Sequence, residues 1–195
     1  MTAVRLEAAA TPTAPALLLR PWCPSDAADL VGVYPEDARS HGAGAVVHDD
    51  ASAAWWVREQ RRGWEAGERF GFAVVEFRGR TGDGRLVGHV ILKRGTADST
   101  SAEVGYWTAA HARGRSVAPR AVRALTDWAF GVFSEDEVAY LELLHQVDNT
   151  ASCRVARKCG YAYTGLLPAA PPEFPLDGHR HAYARHQTPP ATGPP

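Results

Sequence analysis

The stretch Glu103-Val-Gly-Tyr-Trp-Thr-Ala-Ala-His-Ala-Arg-Gly-Arg-Ser-Val-Ala-Pro-Arg-Ala-Val122 decides how this chain is read. It predicts a strand over about Ala102 to Trp107, a short loop carrying Arg113, Gly114 and Arg115, and an abrupt helix start at Ser116. The first turn of a helix leaves amide N–H groups unpaired and positively polarised, so a tight approach through small residues builds a site for an anion such as a diphosphate. Arg113 and Arg115 are placed to add charge-assisted bonds. Pro119 costs little in the first turn, where its missing N–H would have had no helical partner.

Downstream, Asp148-Asn-Thr-Ala-Ser-Cys-Arg-Val-Ala-Arg-Lys-Cys-Gly-Tyr161 reads as a helix capped by Asp148 or Asn149 and ended at Gly160. Ser152, Val155, Ala156 and Cys159 fall at i, i+3, i+4 and i+7, while Arg154, Arg157 and Lys158 point away. A serine on an otherwise apolar stripe needs a partner.

Working outward, Ala16 to Arg20 predicts a first strand ending at Pro21, and Ser25 or Asp26 caps a short helix reaching about Tyr34. Asp49, Asp50 and Ser52 offer capping oxygens for a longer helix, with Trp56, Gln60 and Trp64 at fourfold spacing and Gly67 as its stop. Phe70 to Phe77 and Leu86 to Leu92 read as an antiparallel hairpin turned by Gly79, Gly82, Asp83 and Gly84. After the central segment come helix Val117 to Phe133, strand Tyr140 to His145, helix Thr150 to Lys158, strand Tyr161 to Leu166 and a final strand at about His179 to His186. Strands first and β-α-β-α-β afterwards predict an α/β (α+β) domain with a mixed, strongly twisted sheet and helices on both faces.

The chain has 195 residues, 45% of them apolar, with 21 basic against 22 acidic side chains. That composition fits one folded domain, and the near-zero charge argues against nucleic acid or an anionic membrane as the main partner. Residues 1–15 and the Pro-rich tail 188–195 read as flexible, leaving 16–187 as the domain. Only Lys93 and Lys158 are lysines, which disfavours Schiff-base chemistry. Cys23, Cys153 and Cys159 contain no C-x-x-C pair and are expected to be packing thiols of a reducing compartment. No stretch reaches the ~20 apolar residues of a membrane span. Charges and prolines interrupt the opening residues, so the expected location is the cytoplasm.

At the two central segments the chain resembles the GNAT N-acetyltransferases, and within them the ribosomal-protein alanine and serine N-acetyltransferases (RimJ/RimL-like), over about Leu17 to Arg185. The family's pyrophosphate motif, Arg/Gln-x-x-Gly-x-Gly/Ala, falls on Arg113, Gly114, Arg115, Ser116, Val117 and Ala118. The branch's Asn-x-x-Ser…Gly-Phe/Tyr pattern falls on Asn149, Ser152, Gly160 and Tyr161. The resemblance implies acetyl-CoA as co-substrate, no metal, and direct acetyl transfer to an amine acceptor, in a possible homodimer. It also implies that the pantetheine arm runs along the backbone of Tyr106, Trp107 and Thr108 in a splayed strand pair. Ser152 is expected to serve the departing thiolate and Glu103 to deprotonate the amine through water, with His145 as the alternative base. Asn149 is expected to fix the loop or contact the cofactor. The alternative function is a non-catalytic acyl-CoA-binding or regulatory module on the same fold. Ser116 stands where the family has its central glycine; a helical or N-cap conformation is expected there, its hydroxyl capping the helix or touching a phosphate oxygen.

His179 and His181, at i and i+2, share a strand face and with His186 suggest a metal reading, but no Cys, Asp or Glu at ligand spacing completes the set. They are expected to line the substrate mouth or face solvent, as are His41, His48 and His111. Gly82 to Gly88 loosely matches a dinucleotide fingerprint but opens no helix, so it reads as a turn. Helical spacing places Trp56 and Trp64 in the core, and the loops His41 to Asp49 and Pro168 to Pro175 are expected to wall the substrate.

Overall fold

Strand β3 (Arg69–Phe77) is buried at seven consecutive positions, because its two faces belong to two different cores. Phe70, Phe72 and Val74 point to one cluster, while Ala73 and Val75 alternate to the other. In the computed structural model residues 4–34, 47–77, 84–96 and 99–186 are described. Around β3 the sheet is formed by β1 (Leu6–Ala8), β2 (Leu17–Pro21), β4 (Gly84–Arg94), β5 (Ser101–Thr108), β6 (Tyr140–Gln146), β7 (Ala162–Leu167) and β8 (Gly178–Ala184). Their spatial order is β1-β2-β3-β4-β5-β6-β8-β7, and only β5 and β6 run parallel.

Helix α3 (Val117–Val132) sets Val117, Ala121, Val122, Leu125 and Ala129 into the first core. The second core takes Leu30 of α1 (Asp26–Val33) and Ala53, Trp56 and Val57 of α2 (Asp50–Ala66). A mixed sheet with helices on both faces is therefore the architecture, as the alternation of patterns predicts. The first turn of α2 carries a reciprocal cap between Asp49 and Ser52, and Gly67 ends the helix at φ 70°. The last helix, α4 (Thr150–Lys158), is capped by the Asn149 side chain, which accepts from Ser152 N at 3.0 Å.

Three details depart from the sequence reading. The expected flexible leader contributes β1, whose Leu6–Ala8 pair with Leu17–Leu19. Arg120 fastens it, its Nη2 donating to the carbonyls of Ala8, Ala9 and Pro15. At α1, Ser25 makes no side-chain cap; Asp26 instead accepts from Cys23 N at 2.8 Å and pairs with Arg20 at 2.6 Å. The final strand ends at Ala184, before His186. The hairpin turn residues Gly79, Gly82 and Asp83, together with His41 and the 188–195 tail, lie outside the described residues.

The second core encloses an imidazole. His89, 6% exposed, accepts the Trp22 indole N–H on Nδ1 at 3.0 Å and lies edge-on to Trp56. The same nitrogen lies 3.1 Å from the Phe72 carbonyl, the acceptor that a proton on Nδ1 would meet. Burial pushes this imidazole down from 6.5 to about 3, helped by Arg69 and Lys93, whereas the Phe72 carbonyl opposes the shift. Between those two values the unfolded chain binds a proton that the folded chain refuses, so stability falls as pH falls through that window. Lowering the pH from 7 to 5 is expected to remove about 2 kcal/mol through this group. Urea unfolding of the wild type and His89→Gln, which keeps an acceptor for Trp22, checks it: the variant should lose less by that amount, and equal losses would contradict the assignment.

Candidate active site

Strands β5 and β6 pair only at Ser101–Glu103 with Tyr140–Glu142, then separate. Beyond Glu103, β5 stays bonded to β4 as far as Thr108, so its β6-facing edge is left without a strand partner. Such an edge is a row of backbone donors and acceptors that demand partners. A cavity of about 790 Å³ fills the notch, reaching from Tyr34 and Trp56 at one end to Ser116 and Val117 at the other.

The mouth of α3 closes one side of this cavity. Val117, Ala118 and Pro119 line it, the first turn contains no acidic residue, and no side chain among the described residues caps it. Gly114 lies at φ 77° and Ser116 at φ 55°, ψ 26°. Ser116 therefore occupies the left-handed region, contrary to the helical or N-cap conformation expected of it, and its hydroxyl does not cap the helix. A side chain there costs about 1–2 kcal/mol relative to the right-handed backbone, and the loop geometry that aims the helix mouth holds it in place. The two arginines divide. Arg113 lines the cavity and donates from Nε to the Thr108 carbonyl at 3.4 Å. Arg115 turns its guanidinium to Glu76, with Nη1 2.8 and 2.9 Å from the two carboxylate oxygens. Since Glu76 is 1% exposed, that pair anchors the loop to β3 and takes the Arg115 side chain away from an anion in the notch.

Ser152 and Tyr106 meet across the notch, where the Tyr106 hydroxyl donates to Ser152 Oγ at 3.0 Å. This supplies the partner that the serine on the inward stripe of α4 requires. Burial pushes the Tyr106 phenol up to about 12, so it stays protonated and remains a donor. Glu103 lies at the point of divergence and lines the cavity, its Oε1 2.7 Å from Lys93 Nζ. Trp107, Thr108 and Asn149 also line the cavity, so that of the sequence-derived site residues only Arg115 is absent from its wall.

Sequence reasoning did not find the Tyr106 hydroxyl, because it treated Tyr106 as backbone, nor Lys93 and His89. The β4–β5 register pairs Lys93 with Glu103 and His89 with Trp107, a relation that no local spacing displays. Trp56 is both core and wall, and Trp64 packs half-buried against the first core, donating to the Gly71 carbonyl at 2.9 Å. Pro168, Ala170 and Phe174 bring the expected loop to the cavity.

The expectation about cysteine and histidine fails at one place. Cys159 is a packing thiol, buried and donating to the Pro119 carbonyl, but Cys153 is half-buried beside His179 and His181. With His145 these residues bring four ligand atoms within 4.8 Å of one another, a set dispersed over β6, α4 and β8. His186 is excluded from it and pairs with Glu135.

Residues 16–162 match the family described as Acetyltransferase (GNAT) domain. Among solved structures, a ribosomal-protein-serine acetyltransferase from Vibrio cholerae is 22% identical with TM-score 0.70, over 93% of this chain and 97% of that one. RimJ from Mycobacterium smegmatis, solved with CoA-disulfide, is 21% identical with TM-score 0.73, over 93% and 86%. The microcin C7 self-immunity acetyltransferase MccE, solved with acetyl-CoA and AMP, is 16% identical with TM-score 0.73, over 89% and 97%. These likenesses are of fold. No curated protein sequence matches the chain.

Relief of the backbone strain at Ser116 is measurable. Ser116→Gly is expected to raise unfolding stability by about 1 kcal/mol, and Ser116→Ala to leave it unchanged, since no cap bond is lost. Urea titration of both variants checks this; a destabilised glycine variant would place Ser116 in the right-handed region.

Proposed function

We propose that this chain, which belongs to the GNAT acetyltransferase family, moves an acetyl group from acetyl-CoA to a primary amine, either a protein N-terminus or a small-molecule amine, by direct attack in a ternary complex. The observation that carries the reading is the notch between β5 and β6 opening onto the uncapped first turn of α3. An extended pantetheine, which bears two amides, satisfies the free edge of β5 at Tyr106, Trp107 and Thr108 as an added strand would. The diphosphate meets the amides of the Gly114–Ala118 turn and the helix mouth, with Arg113 at the rim. That the RimJ and MccE structures hold CoA or acetyl-CoA supports the cofactor. Family membership favours catalysis over a non-catalytic binding module.

A neutral amine attacks the thioester carbonyl, backbone amides of β5 stabilise the oxyanion, and the C–S bond breaks. Ser152 donates its proton to the departing thiolate while accepting from Tyr106; the phenol passes its proton to the serine oxygen and regains one from solvent as the products leave, which returns both hydroxyls to their starting state. Glu103 takes the ammonium proton through water at the edge of the cavity, its carboxylate held by Lys93. His145 is less suited, because its one free ring nitrogen belongs to the cluster with Cys153, His179 and His181 and burial lowers its affinity for a proton. Asn149 acts by fixing the first turn of α4. The aromatic end formed by Tyr34, Trp56 and Trp107 receives the acceptor.

Thiol release from acetyl-CoA over a panel of amines tests the reading, and no amine-dependent release would overturn it. Ser152→Ala is expected to lower kcat by roughly 100-fold and Tyr106→Phe by roughly 10-fold, with a less than additive double variant. Acetyl-CoA affinity by calorimetry should change little. Unaltered kcat in both single variants would remove Ser152 and Tyr106 from the chemistry.

A further inference from the structure

We propose that Cys153, His145, His179 and His181 form a four-coordinate site for Zn²⁺ that ties the first turn of α4 to the sheet. The four come from three rigid elements. His179 and His181 are two residues apart on one face of β8, His145 is the direct cross-strand partner of His179 on β6, and Cys153 descends from α4. Their ligand atoms lie within 4.8 Å of one another. Cys153 Sγ stands 3.3 Å from His179 Nδ1 and 3.7 Å from His181 Nε2. A tetrahedral zinc ion with bonds of ~2.0–2.3 Å separates its ligands by roughly 3.3–3.7 Å. Two edges of the tetrahedron are therefore already at length.

The surroundings of the rings point the same way. A carbonyl only accepts, so the 2.7 Å contact between His145 Nδ1 and the Gln146 carbonyl fixes the proton on Nδ1 and leaves the Nε2 lone pair available. That Nε2 is buried and has no hydrogen-bond partner among the described residues. A ring nitrogen bonded to a backbone carbonyl while its opposite nitrogen aims at a shared point is the arrangement that orients a metal-ligating histidine. His181 is 2% exposed, so it is not a solvated surface group. No carboxylate belongs to the cluster. One thiolate and three neutral imidazoles suit a borderline-soft divalent ion rather than Mg²⁺ or Ca²⁺. With four protein ligands the coordination is closed, which makes the ion structural. On binding, the Cys153 S–H bond breaks, the S–Zn bond forms and one proton is released to solvent. Because Ser152 adjoins Cys153, the ion fastens the turn that carries the serine facing Tyr106.

The test uses the full chain, reduced and treated with chelator. Co²⁺ is expected to bind at one equivalent with a thiolate charge-transfer band and tetrahedral d–d absorption, and Zn²⁺ to displace it. Competition with a chromophoric chelator should show Zn²⁺ affinity falling at least ~100-fold in Cys153→Ser and in His179→Gln. The cobalt charge-transfer band should vanish only in the serine variant. Zinc should raise the Tm of the wild type and leave that of Cys153→Ser unchanged. Folding is confirmed by circular dichroism, and should Cys153→Ser not fold, His179→Gln at the half-buried position carries the comparison. Absence of the band in folded wild type, or wild-type zinc affinity in the folded variants, overturns the proposal. None of these readouts involves acetyl transfer, so the site and the proposed reaction stand or fall separately.

Discussion

Three residue pairs hold β5 to β6, and the proposed function rests on their parting at Glu103 and Glu142. A parallel pair that continued to Thr108 would satisfy its own backbone and leave no notch. Because it parts, a strand edge is exposed to a cavity inside the domain, where water cannot satisfy it as freely as at the surface. The same opening receives the uncapped first turn of α3, so that two sets of unshared amides face one space. An extended amide chain ending in a diphosphate answers both.

Keeping that geometry carries a strain, and its supports are visible. Ser116 stays in a left-handed conformation that a non-glycine residue resists, and neither its hydroxyl nor a cap compensates locally. Compensation comes from the next residue back: Arg115 binds the buried Glu76 through both carboxylate oxygens and pins the loop to β3. On the far side, Arg120 holds β1 through three carbonyls, which keeps the outer strands against α3. An arginine that looks like a phosphate ligand in the sequence is thus a strut, and the proposed binding mode leaves the diphosphate to Arg113 and the backbone.

The elements were legible because their signals are local. Alternation in Phe70 to Phe77, the Asp49 and Ser52 cap, the glycine at 67 and the inward stripe of α4 each lie within a few residues. The positions of α3 and of Ser152 followed from the same kind of pattern. What was hidden depends on register and on distance in the chain. No spacing announces that Tyr106 will meet Ser152, that Lys93 will pair with Glu103, or that Glu76 waits for Arg115. The cluster of Cys153 with His145, His179 and His181 is the clearest instance. Within the sequence the cysteine sits on a basic helix and the histidines read as strand residues, and only the β6–β8 register with α4 above it brings them together. Ser116 erred for a different reason, since serine is at home at an N-cap and the preference of the residue was taken for the demand of the site.

The account places a bound coenzyme along the free edge of β5 and against the mouth of α3, with the acceptor at the aromatic end and α4 supplying the hydroxyl. Amide hydrogen exchange measured with and without saturating coenzyme A tests this most directly. Protection should rise at residues 104–108 and 114–118 together, with little change along β1 and β2. Protection confined to other segments, or none at those two while coenzyme A is bound, would contradict the placement on which the mechanism rests.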